Sequence, residues 1–133
     1  MAIVDSPKFL RYVLLADSAS CVATGAVQVL LAATLADLFR LPAMLLMGTG
    51  VFLLAYAAVV AFIGTREVIP RGFVWLFVAG NFGWAAGCVA LLAAAPLNPT
   101  APGQAWVIAQ AITVVILAEL QWAGLRSRPA GWA

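Results

Sequence analysis

Four polar side chains stand out in a chain with few other means of doing chemistry: Asp17, Tyr56, Asn81 and Glu119. Each lies inside an apolar run. In helical register each falls roughly 8–15 Å from the same end of its run, at about 1.5 Å per residue. Two carboxylates, a phenol and an amide at one depth could bind a cation or share a proton, because a charge in an apolar segment seeks a partner or a wet cavity. Asp17 leads the longest polar stripe. Cys21, Thr24 and Gln28 follow it by 4, 7 and 11 residues, a spacing that keeps all four on one helix face.

A plainer role stands beside each of these. Asp17 can serve as a structural hydrogen-bond acceptor for Asn81, Tyr56 or backbone. Glu119 shares its face with Ile108, Ile112, Val115 and Trp122, and Arg126 lies two turns further on. That favours snorkelling or pairing with Arg126 over a buried site. Tyr56 and Asn81 suit packing and hydrogen bonding between helices. Gly80, Gly83 and Gly87 project opposite Asn81, and the last two form a GxxxG pair that lets a helix approach closely. Packing within the chain is the expected use of that face. Gln110 and Gln121, eleven apart, form a polar stripe away from Glu119. Protein contacts on both sides of that helix favour an oligomer.

The residues that are absent narrow the field. The chain has no histidine, which removes the commonest metal ligand and general base. Cys21 and Cys88 sit in apolar runs without a pairing motif and read as inert buried thiols. Phosphate-binding loops, dinucleotide fingerprints, zinc-protease helices and nucleophile elbows are missing. No enzyme, metal or cofactor is expected. The seven cations sit at segment ends rather than in a run, so nucleic acid is not an expected partner.

The elements that must position the polar groups are membrane-like. Of 133 residues, 65% are hydrophobic and 9% charged, against about a quarter charged in a soluble domain. Too little polar side chain exists to cover a water-soluble fold of this length. The expected fold is all-α, a single four-helix transmembrane domain over residues 1–133. Its helices fall at about 9–35, 42–64, 72–95 and 104–125, each near the roughly 20 residues a bilayer requires. The stretch from Asp37 to Pro42, the polar turn from Thr65 to Arg71 and the proline-rich stretch from Pro96 to Gly103 separate them. Lys8 and Arg11 before an apolar run imitate a signal peptide. The run outlasts an h-region of about 7–15 residues and contains Asp17, so a retained helix is expected.

Orientation follows from cation placement. Lys8, Arg11, Arg66, Arg71, Arg126 and Arg128 flank one side, and Arg40 alone flanks the other. Both termini and the middle connection are therefore expected in the cytoplasm, with two in–out–in hairpins in the cytoplasmic membrane of a bacterium. Phe9, Tyr12, Phe62, Trp75 and Trp122 would form the inner aromatic belt, and Phe39 and Trp106 the outer. A shift of 64 sets Asp17 over Asn81, and a shift of 63 sets Tyr56 over Glu119. Those few matches suggest a parallel internal repeat.

In size and helix count the chain resembles the small multidrug resistance transporters. It departs from them where Asp17 stands in place of a first-helix glutamate, and in lacking their later aromatic and glycine motifs. Leu15-Ala16-Asp17, Ala23-Thr24-Gly25, Asn81-x-x-Trp84 and Ala118-Glu119-Leu120-Gln121 look more like uncharacterised four-helix bacterial membrane proteins. That resemblance implies the fold and carries no function. Two roles are consistent with these features: an accessory or interaction subunit of a membrane complex, or a small homo-oligomeric ion-coupled transporter using Asp17. The lipid bilayer and a membrane-protein partner or second copy are the expected contacts.

Overall fold

Proline sets where two of the long helices begin. Pro42 and Pro70 occupy the N-cap positions of the helices that follow, both with extended backbone (φ −61°, ψ 134° and φ −65°, ψ 126°). A ring with fixed φ and no N–H can begin a helix but cannot continue one. The computed structural model describes residues 8–94 and 96–127, in which five helices and no strands occur. They are α1 (Phe9–Leu30), α2 (Ala32–Phe39), α3 (Ala43–Gly64), α4 (Arg71–Ala93) and α5 (Ala101–Ser127). All but α2 are long and apolar enough to cross a membrane.

Two boundaries differ from those read in the sequence. The first run is not one helix to residue 35. It turns at Leu31 (φ −118°, ψ 23°), and α2 then continues to Phe39. The turn carries Leu35 and Phe39 back into a core with Leu46, Cys88 and Val107, burial that a straight α1 would forgo. α5 begins three residues before the expected Gln104 because Thr100 caps it. The Thr100 hydroxyl accepts from Gly103 N–H (3.3 Å), satisfying an otherwise orphaned donor. The same hydroxyl donates to Leu38 O (2.7 Å), and Thr100 N–H donates to Phe39 O (3.0 Å). One residue thus ties the end of α2 to the start of α5.

Phe39 is buried, its ring 5.5 Å from that of half-buried Trp106, so Phe39 does not face outward as the expected outer belt requires. Ala95 and Arg128, expected at the end of the third helix and in the tail, lie outside the described residues.

α1 packs against α3, α4 against α5, and α1 against α5. Contacts from α1 to α3 run Arg11 to Gly64, Ser18 to Ala57, Gly25 to Gly50 and Gln28 to Leu46, so the two are antiparallel. Glycine sets their closest approach. A Cβ on Gly25 would lie 2.8 Å from Gly50 O. In contrast, Gly83 and Gly87 have nothing within 4 Å of a Cβ position, and Gly80 meets only the Tyr56 ring edge. The close helix contact expected at the α4 glycines is made instead by Gly25 and Gly50. Arginines close the end of the bundle that holds the 65–70 turn. Arg11 donates to Gly64 O (2.8 Å) and Arg71 to Leu125 O (3.2 Å), each satisfying a carbonyl near a helix C-terminus.

Candidate functional site

Asp17 lies at the junction of α1, α4 and α5 and is fully buried. Its Oδ2 accepts from Asn81 Nδ2 at 3.0 Å and from Gln121 Nε2 at 2.7 Å. Asn81 Nδ2 also donates to Gln121 Oε1 at 3.2 Å, which closes a triangle of three side chains on three helices. On the other carboxylate oxygen, Cys21 Sγ donates to Oδ1 at 3.6 Å. All of these partners are uncharged. The amide of Asn81 spends both N–H groups on the triangle, and its Oδ1 has no donor among the described residues. The cluster therefore presents two oxygens, Asp17 Oδ1 and Asn81 Oδ1, with spare accepting capacity.

Neither Tyr56 nor Glu119 bonds to this cluster, although Tyr56 packs beside Cys21. The Tyr56 hydroxyl is directed to Phe77 O at 3.5 Å, and its ring stands edge-on to Phe77. Glu119 is exposed on the outer side of α5. It does not meet Arg126, whose guanidinium instead lies over the Trp122 ring at 5.7 Å. Gln121, two residues on and about 200° around the helix, occupies the place expected for a carboxylate.

Gln121 could have been found from spacing. Asp17 and Gln28 are eleven residues apart on α1, and Gln110 and Gln121 are eleven apart on α5. Eleven residues make about three helical turns, so two antiparallel helices with matching intervals can meet at both polar positions. They do. Gln121 meets Asp17 at one level, and Gln110 donates to Gln28 Oε1 (3.3 Å) at the other. Glu119 has no counterpart at the required interval.

The second level is an amide cluster built around Gln28. Its Nε2 donates to Leu46 O (3.0 Å) and Thr49 Oγ1 (2.8 Å), while its Oε1 accepts from Trp106 Nε1 (2.9 Å) and Gln110. Trp84 Nε1 donates to Gln110 Oε1 at 3.1 Å. Between the two levels, a cavity of about 130 Å³ lies between α1 and α5, with Ser20, Cys21, Thr24 and Thr113 among its walls. Cys21 separates it from Asp17. Among the described residues no group of three or more His, Cys, Asp or Glu could hold a metal ion.

Fold and site together define the class: an all-α bundle whose four long apolar helices are joined by buried amides and one carboxylate. The chain matches no protein-family model, no curated protein and no solved structure.

Proposed function

We propose that this chain is a small non-enzymatic integral protein of the cytoplasmic membrane that acts as an interaction subunit of a membrane complex. One observation carries the reading. Among the described residues, the five buried polar ones, Asp17, Ser18, Gln28, Asn81 and Gln121, each hydrogen-bond to a residue on another helix. Polar groups used this way hold membrane helices together. The grouping of Arg11, Arg66, Arg71 and Arg126 at one end supports a cytoplasmic location for that end. Native mass spectrometry after gentle extraction tests the role. A stoichiometric foreign protein on the chain is the expected result, and a chain recovered without one overturns it.

A second reading, a homo-oligomeric ion-coupled transporter, rests on a different observation. Asp17 is buried with only neutral partners, and the spare oxygens of Asp17 and Asn81 are the kind a proton or cation would occupy. Asp17→Asn separates the two readings. Both strong donors converge on Oδ2, so an asparagine with its oxygen there keeps both bonds. The variant should fold and keep its partner if the subunit reading holds. Loss of ion-driven uptake in proteoliposomes, with the fold intact, would establish transport instead.

A further inference from the structure

The halves of the bundle meet closely where α5 packs against α1 and α2, and a cavity of about 440 Å³ opens between α3 and α4. Its walls are leucines of both helices, Gly83, Gly87 and the faces of Phe52 and Trp84. Phe52, Gly83 and Gly87 are exposed, so the cavity is a slot open to the side of the bundle.

Three features limit what can fill it. First, the slot stops halfway. The Phe52 and Trp84 rings stack across it, with centroids 5.8 Å apart and planes 7° apart, and Tyr56 and Phe77 close the space behind them. Phe52 lies nine residues from the start of α3 and Trp84 nine from the end of α4. Nine residues of helix span about 14 Å, close to half of a hydrocarbon core about 30 Å thick. The slot has the depth of one leaflet. A helix crossing the whole membrane would meet the aromatic barrier halfway, whereas a chain from one leaflet would end at it.

Second, the polar groups on its floor are mostly committed to one another, with one N–H of Gln110 left over. Gln28 uses all four of its hydrogen-bonding positions, and the indole N–H groups of Trp84 and Trp106 are both bonded. Water needs about two to four polar partners, and this floor favours hydrocarbon. Third, a cation is the chain neighbour of a residue at the open end. Leu41 lines the slot, and exposed Arg40 precedes it in a left-handed conformation (φ 56°).

We propose that the slot between α3 and α4 is a binding site for a phospholipid, one acyl chain lying against Gly83 and Gly87 and the phosphate at Arg40. The slot selects for hydrocarbon of one-leaflet length, and Arg40 for a phosphate head. This site is independent of the partner-binding role, which a lipid measurement does not test.

The test uses the full chain in nanodiscs containing phosphatidylglycerol and phosphatidylethanolamine, transferred to native mass spectrometry. The wild type should retain one phospholipid per chain. Gly87→Leu extends a side chain into the slot from a position with no atom within 4 Å of its Cβ, so it fills the space without clashing with backbone. It should lower occupancy at least about tenfold, and Gly83→Leu serves if that variant does not fold. Gly48→Leu, equally open but not in the slot wall, should leave occupancy unchanged. Arg40→Gln should lower it about threefold or more. Phospholipid brominated on the acyl chain should quench emission in a variant that keeps only Trp84 and Trp106, and quench it less once Gly87→Leu is added. Equal lipid retention in wild type and Gly87→Leu overturns the proposal. So does a dimer that Gly87→Leu dissociates, since the occupant would then be a second copy.

Discussion

Replacing Gln121 with leucine removes one corner of the Asp17 triangle while keeping side-chain volume. Two hydrogen bonds are lost: the 2.7 Å bond to Asp17 Oδ2 and the 3.2 Å bond from Asn81. In a water-soluble protein, a bond to a charged group is worth about 1.5–3 kcal/mol and a neutral one about 0.5–1.5 kcal/mol. Membrane helices unfold to a different reference, in which the separated helices remain in lipid and their polar groups find other partners. Side-chain bonds between them then average about 0.6 kcal/mol and reach about 1.7 kcal/mol. In the membrane location proposed above, Gln121→Leu should cost about 1–3 kcal/mol. The assay is unfolding by SDS in mixed micelles, followed by tryptophan fluorescence and near-UV circular dichroism. Glu119→Leu is the control, because Glu119 is exposed only two residues away. It should change stability by no more than about 0.5 kcal/mol. If Glu119→Leu costs as much as Gln121→Leu, or the order reverses, the rotation of α5 and the triangle built on it are refuted.

The glycines give a graded set. Gly25→Ala sets a Cβ 2.8 Å from Gly50 O and should push α1 from α3 at a cost of about 1–3 kcal/mol. Gly103→Ala, 2.6 Å from Phe39 O, should do the same between α2 and α5, again read by unfolding in micelles. Gly48→Ala meets open space in the second turn of α3 and should stabilise by up to about 1 kcal/mol through helix propensity, visible as a higher unfolding midpoint. Thr100→Ala removes the α5 cap and the bond to Leu38 O, so it should cost about 0.5–2 kcal/mol. Its amide exchange should rise first around residues 38–41 and 100–104, where those bonds lie.

Much of the fold was legible because its determinants are local. Runs of about twenty apolar residues, Pro42, Pro70 and the proline-rich stretch before α5 state how many long helices form and roughly where they stop. The bend at Leu31 was not legible. No proline or glycine marks it, and the gain comes from burying Leu35 and Phe39 against residues of α3, α4 and α5. Asp17, Asn81 and Gln28 were recognisable as interior groups because a polar side chain in an apolar run has to find a partner.

Which partner it finds is a matter of rotation about the helix axis, and that is set by packing. The face of α5 that turns inward carries Val107, Val114, Ala118, Gln121 and Leu125, and it leaves Glu119 outside. In a chain this apolar, hydrophobicity differs too little from face to face to announce that choice. Sequence alone decided which segments are long and apolar enough to cross a membrane, since that depends on composition and length. Tertiary structure decided that Gln121 closes the ring around Asp17, that Gly25 and Gly50 bring helices together, and that Gly83 and Gly87 border an open slot. Those outcomes depend on which surfaces interlock, a property that no single helix carries alone.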